Sequence, residues 1–323
     1  MDQRLRIFTW HIHGSYLYYL SQGPYDIFIP VDGSQREGYY GRGQTFPFGP
    51  NVIEVPAEDV KHLALDVILF QTFQNYLADQ YTLLSETQRA LPRIFLQHDP
   101  PLHHPVDEVH PVDDPHMVLV HVTQFNRLMF NNNHTPAQVI EHGVQVPDIP
   151  YQGDIARGIV VINNLPERGR RLGLDIFRYV SARVPLDLVG MGNGELGLGE
   201  VLHPQLPAFI SRYRFFFNPI RYTSLGLAVG EAMQLGVPVV GLATTEMATL
   251  IRDGENGFLH TDVDYLVEKM KALLADRALA ARLGAAGKAT AMERFNIQRF
   301  VREWEQLFRR MAVGRQEPAG MPA

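Results

Sequence analysis

The chain of 323 residues has room for two domains of ordinary size, and 46% hydrophobic residues supply apolar content for two cores. Zero cysteines exclude a disulfide framework, thiolate catalysis and Cys-based zinc or iron–sulfur sites, and a net charge of −6 argues against a nucleic-acid partner, which would call for a basic face. No apolar run approaches the ~20 residues that span a bilayer, and the residues after Met1 do not read as a signal peptide, so the expected location is the cytoplasm. The charge is uneven: 8 Lys and Arg stand against 16 Asp and Glu up to Pro147, and 21 against 19 from Asp148 on, with 11 of the 13 His in the first part. An acidic, His-rich half followed by a mildly basic one suggests two domains with different ligands, the second suited to a diphosphate. A basic N-terminal face for docking on anionic membranes is not seen, and nothing in the sequence supports peripheral membrane contact.

In chain order, RLRIFTWHIHGSYLYYL predicts a strand over 5–10, a turn over 11–15 and a helix from Tyr16. Gly14 and Ser15 stand either at an anion-facing strand-to-helix turn or in a tight turn with Ser15 as N-cap. DIFIP (26–30) is a second strand. The stretch 31–56 reads as a long Gly- and Pro-rich loop whose Tyr39, Tyr40, Phe46 and Phe48 either stack on a sugar or pack the loop down. DVILF (66–70), RIFL (93–96) and MVLVHV (117–122) are strands with polar carboxyl ends, Gln71-Thr72, Gln97-His98-Asp99 and Thr123-Gln124, the pattern of a parallel sheet. The first domain is predicted over 1–147, with a Pro- and Gly-containing linker after it.

The second domain is predicted over 155–300. It opens with GIVVI (158–162), then NNLPERGRRLGLDIF, where Arg168, Arg170 and Arg171 precede a helix. Cations at a helix N-terminus oppose its dipole, so an anion is expected among them, the other reading being a solvated basic loop. VPLDLVG (184–190) is a strand leading to Asn193 in a Gly-rich turn. The stretch FFFNPIRYTSLGLAVGEAMQLGVPVVG (215–241) organises the domain. Three Phe form a strand, a polar loop runs from Ile220 to Ser224, a helix starts near Gly226, Gly236 ends it, and VPVV is a buried strand. Loop amides at Leu225, Gly226 and Leu227 stand where a phosphate binds in an open α/β sheet. Glu231, flanked by Ala232 and Met233, needs a hydrogen-bonding partner, and neither Leu227 nor Leu235 supplies one at helical spacing. Helices follow over 265–275, 278–294 and 297–311. The segment 301–312 is read as a terminal helix that could return to the first domain, and 313–323 as a disordered tail.

The 215–241 stretch resembles the donor-site signature of the family 4 retaining glycosyltransferases, enzymes of the two-domain GT-B fold. In that family a Glu, seven residues and a second Glu precede a Gly-x-Pro-Val-Val strand. Glu231 matches the second Glu and residues 236–240 match the strand, whereas Thr223 stands in place of the first Glu. The resemblance implies an α/β fold of two doubly wound, Rossmann-like parallel-sheet domains facing a cleft. It also implies transfer of a hexose from a nucleoside-diphosphate sugar to an acceptor hydroxyl with retention of configuration, without metal or cofactor. A UDP-sugar is favoured, with a GDP-sugar as second choice, and the acceptor is not identified. The resemblance places an acceptor-side loop at Gly14 and Ser15 and a sugar-side His at His98. It places diphosphate-gripping residues near Asn164, Arg170 and Arg171, a residue at Asn193 that either meets the nucleobase or shapes the turn, and donor contacts at Arg221, Thr223, Ser224, Leu225, Gly226, Leu227 and Glu231. Thr245-Glu246 replace the family's Gly-Gly. Two other readings stay open: a non-catalytic nucleotide-sugar-binding partner, and a non-hydrolysing sugar-nucleotide epimerase of the same fold.

Overall fold

The computed structural model describes residues 4–313 and divides the chain into two compact units, one made of the residues up to Gly143 with the chain from Ile297 on, the other of Val144–Asn296. The boundaries read from sequence, 147–155 and 300, thus fall at 143/144 and 296/297. Val313 ends the last helix, and the rest of the expected tail, 314–323, lies outside the described residues.

In the first unit seven parallel strands, β1 (Arg6–Thr9), β2 (Asp26–Val31), β3 (Val52–Pro56), β4 (Val67–Phe70), β5 (Arg93–Gln97), β6 (Met117–His121) and β7 (Ala137–Val139), run in the order β3-β2-β1-β4-β5-β6-β7. The chain reverses direction across the sheet between β1 and β4, so their carboxyl ends frame a switch point, where such sheets bind ligands. The central strands are apolar on both faces because both are covered: Ile7, Phe8, Val67, Ile68, Leu69 and Phe70 are fully buried. β3 differs from the sequence expectation, which made 31–56 all loop. It is an edge strand of five residues that ends on a proline, and its partner β2 supplies the pairing that its own pattern does not announce. Helix α1 (Gly14–Leu20) follows β1, and the last helix of the chain (Ile297–Val313) packs in this unit, Phe300, Trp304, Leu307 and Phe308 forming its buried face. Trp304 Nε1 donates to the Tyr16 hydroxyl at 3.0 Å, which gives both buried polar tips a partner.

The second unit holds β8 (Ile155–Val161), β9 (Leu186–Val189), β10 (Tyr213–Asn218), β11 (Val239–Leu242) and β12 (Phe258–His260), all parallel, in the order β12-β11-β10-β8-β9. Here the switch point lies between β8 and β10. Phe215, Phe216 and Phe217 are buried to 2% exposure or less on both faces of β10, each side chain contributing roughly 2–3 kcal/mol of apolar burial. Helices α2 (Leu174–Ser181), α3 (Leu206–Ile210), α4 (Leu227–Gln234), α5 (Val263–Ala275) and α6 (Arg277–Arg294) are the longer helices of the unit. Gly236, at φ +77°, ends α4 in the left-handed region, as its place before VPVV predicts. Arg214, inside the unit, donates to the Leu273 and Leu274 carbonyls at the end of α5 and so satisfies the open end of that helix.

Candidate functional site

In the second unit the segments after β8 and β10 are locked side by side at the switch point. The Arg171 carbonyl accepts from the Arg221 and Tyr222 amides at 3.1 and 3.3 Å. Gly173, at φ +85°, lies so close to the Pro219 carbonyl that a Cβ there would run into it. Glycine is therefore required at this position both by its dihedral angle and by the approach of the neighbouring backbone.

Two of the cations predicted here share one carboxylate. Asp175, in the first turn of α2, accepts from Arg170 at 2.6 Å and from both terminal nitrogens of Arg221 at 2.5 and 2.7 Å. The Arg221 guanidinium, helped by Arg170, holds Asp175 down at about 2. Asp175 thus supplies an anion for Arg170, one of the three arginines among which the sequence led to an expected anion, and for Arg221. Arg171 is different: its Nη1 is buried and has no hydrogen-bond partner among the described residues. A buried guanidinium nitrogen without a partner is costly, and an incoming anion would satisfy it.

Residues 223–227 form the remainder of this edge. Ser224 and Leu225 are buried, Thr223 is partly buried, and Gly226 is the N-cap of α4, with no side chain capping it and no acidic residue in the first turn. A Cβ added to Gly226 would meet nothing within 4 Å, so the helix start opens onto free space. A helix start with no side-chain cap and open space before it has the features by which such ends can take an anion. Glu231 is 6% exposed, just over one turn into α4, and its Oε1 lies 3.6 Å from His203 Nε2. Sequence reasoning looked for a basic partner at helical spacing and missed His203, which comes from the loop before α3; no local signal ties the two positions.

Asn164 and Asn193 shape the neighbouring turns. Asn164 stands at φ +53° as the N-cap of the short helix Leu165–Arg168. Asn193, 3% exposed, accepts from the Leu165 amide at 3.0 Å and donates to the Ile162 and Gly190 carbonyls at 2.8 and 3.0 Å. Its amide is committed to bracing the turn, the second of the two roles that the sequence left open. Thr245, in the place of a family glycine, sits at φ +47°, and its hydroxyl reaches the Ser224 carbonyl at 3.4 Å. A β-branched residue there is strained. Glu246, 2% exposed, pairs with Arg294 at 2.5 Å and accepts from Thr249.

In the first unit the switch point is filled by neutral groups. Gln71, 5% exposed, donates to Thr9 Oγ1 and the Trp10 carbonyl at 2.9 and 2.8 Å, and its Oε1 lies 3.0 Å from His98 Nε2. The His98 ring packs against His13 at 4.0 Å and Tyr16 at 4.9 Å between centroids. Gly14 opens α1 but the N-cap is His13, not Ser15, and the Phe46 ring covers Gly14 so closely that a Cβ would strike it. Phe46 and Phe48 pack with Tyr18, and Tyr40 with His11, so these loop aromatics fasten the loop to the unit. Among the described residues no group of three or more His, Asp and Glu is arranged to hold a metal ion.

Two doubly wound parallel sheets, one of seven strands and one of five, are the GT-B architecture. Anabaena HepE, solved in complex with UDP, shares it: TM-score 0.63 at 15% identity, over 95% of this chain and 100% of that one, a likeness of fold. Residues 159–276, within the second unit, match the model of the family described as glycosyl transferases group 1. Among curated relatives, the trehalose synthase of Pyrococcus horikoshii is 37% identical over 79 residues, 24% of this chain and 19% of its own length. A GDP-mannose-dependent alpha-(1-6)-phosphatidylinositol monomannoside mannosyltransferase of Mycolicibacterium smegmatis is 29% identical over 150 residues, 42% of this chain and 39% of the relative. The match thus spans about a fifth of the first relative's length and well under half of the second's. No helix among the described residues is long and apolar enough to cross a membrane.

Proposed function

We propose that the protein is a glycosyltransferase that moves a hexose from a nucleoside-diphosphate sugar to an acceptor hydroxyl with retention of configuration. Three features of the second unit support the reading: the open α4 start after β10, the Arg171 nitrogen without a partner in the segment after β8, and the buried Glu231 carboxylate within α4. The amides of residues 225–227 and the Arg171 guanidinium would hold the diphosphate, and Glu231 would accept the ribose hydroxyls. As the bond from the anomeric carbon to the diphosphate oxygen breaks, negative charge grows on that oxygen, where the amides and Arg171 stabilise it. The acceptor oxygen then bonds to the anomeric carbon on the same face, and its proton passes to the departing diphosphate. In this scheme guanidinium and helix-end charge do the work that a metal ion would otherwise do. Both UDP, seen with HepE, and GDP, named for the mannosyltransferase, are carried as donor bases, UDP first.

Titration calorimetry with UDP and GDP tests the site. Glu231→Ala should lose charge-assisted hydrogen bonds worth ~1.5–3 kcal/mol, a fall in affinity of roughly tenfold or more. Unchanged affinity in the variant would remove Glu231 from the site. Incubation with radiolabelled donor sugars separates a transferase from a binder: release or transfer of the sugar supports the enzyme, and binding without turnover on a broad acceptor panel favours a non-catalytic partner.

A further inference from the structure

The hydrogen bonds around Gln71 form a chain whose direction is fixed at both ends. The Leu69 carbonyl can only accept, so the Thr9 hydroxyl donates to it, at 2.8 Å, and turns a lone pair toward Gln71. The Trp10 carbonyl can only accept as well. Both contacts come from Gln71 Nε2, which must therefore be the NH2 group, and its Oε1 is left as the acceptor facing His98 Nε2. A flipped amide would set Oε1 against the Trp10 carbonyl. Nε2 of His98 must then carry a proton, and in the neutral ring Nδ1 keeps its lone pair.

We propose that Gln71 is a positioning residue that locks His98 as the neutral Nε2–H tautomer, so that Nδ1 serves as a fixed acceptor for a carbohydrate hydroxyl and not as a carrier of protons. The groups facing the ring agree with a neutral state. His13, from the turn after β1, and His142, from the segment after β7, bring no negative charge that would hold an imidazolium, Tyr16 of α1 meets the ring edge-on, and burial, with these neighbours as lesser causes, pushes His98 well below the ordinary histidine range. The Asn126 amide, donating to the His98 carbonyl at 3.0 Å, holds the backbone so that the ring cannot back away from Gln71. The hydroxyl partner rests on the glycosyltransferase reading; the tautomer does not.

The test is ring-nitrogen NMR on the full chain labelled with ¹⁵N-histidine, the His98 signals being assigned by their loss in His98→Asn. The wild type should show a protonated Nε2 and an unprotonated Nδ1, unchanged between pH 8 and 5.5. Gln71→Glu places a carboxylate at the same point, which favours the imidazolium, so the signals should move to the doubly protonated pattern as pH falls through neutrality. Gln71→Leu should give a mixture of tautomers. In transfer assays Gln71→Glu should lose kcat at least tenfold on the acid side of neutrality and recover toward alkaline pH, with donor KM changed less than threefold. A wild-type His98 protonated on Nδ1, or a Gln71→Glu variant with wild-type ring signals while circular dichroism reports native folding, would overturn the inference. The expected ring signals in a protein that turns over no nucleotide sugar would instead count against the function and leave the tautomer assignment standing.

Discussion

The two switch points of this molecule have the same backbone logic and opposite chemistry. Between β1 and β4 the gap is lined by a hydroxyl, an amide and an imidazole in one hydrogen-bonded chain, with Phe46 laid over the first helix turn. Between β8 and β10 it is left open at Gly226 and edged by arginines, one of which keeps a buried nitrogen without a partner. A doubly wound sheet thus supplies a place for a ligand, and the residues at the strand tips decide whether that place favours a neutral hydroxyl or an anion. The charge division along the sequence reports the same split on a coarser scale.

The strongest way to break the second switch point without touching its charges is Gly173→Ala. A Cβ there must displace the Pro219 carbonyl and hold φ at +85°, for a cost of about 3–5 kcal/mol. Urea unfolding followed separately in each unit should show the loss in the second. A shift below 1 kcal/mol would mean that the β8 and β10 segments are not locked together.

The first unit should be the one that acid breaks. His110 and His121 are fully buried, and burial pushes them down to about 3 and about 4. In the unfolded chain both take up a proton below about 6.5, whereas folded they stay neutral, so the unfolded state binds more protons as pH falls from 6.5 toward 4. Stability should drop over that window by about 2–4 kcal/mol between pH 7 and 5. The paired variant His110→Gln, His121→Gln should flatten the dependence, and an equally steep profile in it would place the acid sensitivity elsewhere.

Arg171→Ala and Arg170→Ala sharpen the contrast inside the second site. If Arg171 is the arginine reserved for the ligand, its loss should weaken UDP binding by ~1.5–3 kcal/mol, roughly tenfold to a hundredfold. Arg170 is 76% exposed and already paired with Asp175, which Arg221 continues to hold, so its removal should cost under about 1 kcal/mol in affinity or stability. Equal effects by calorimetry would dissolve the distinction.

Most of the fold was legible because parallel strands buried on both faces write continuous apolar runs, and FFF, VPVV and DVILF are of that kind. β3 was not, since Val52–Pro56 stands in a Gly- and Pro-rich stretch and owes its extension to β2. The position of Glu231 was legible from its place before Gly236 and VPVV. Its partner His203, and the capture of Arg170 and Arg221 by Asp175, depend on long-range packing that spacing along the chain does not encode. Gln71 showed only as a polar strand tip, because its directional role exists once β1, β4 and β5 are side by side.

The smallest expected effect lies where the second switch point departs from the signature it resembles. Thr245 at φ +47° costs about 1–2 kcal/mol of backbone strain, against which stand a long hydroxyl contact to Ser224 and the lower unfolded-state entropy of a β-branched residue. Thr245→Gly should therefore stabilise the protein by only about 0.5 kcal/mol, raising Tm by about 1–2 °C. The accompanying change in UDP affinity is the informative part. A loop held in strain by its surroundings is already in its bound shape, so a freer glycine should weaken binding a few-fold while the protein grows more stable. If Tm falls instead, the Ser224 contact outweighs the strain, and Thr245 works as a clamp between the β10 and β11 loops.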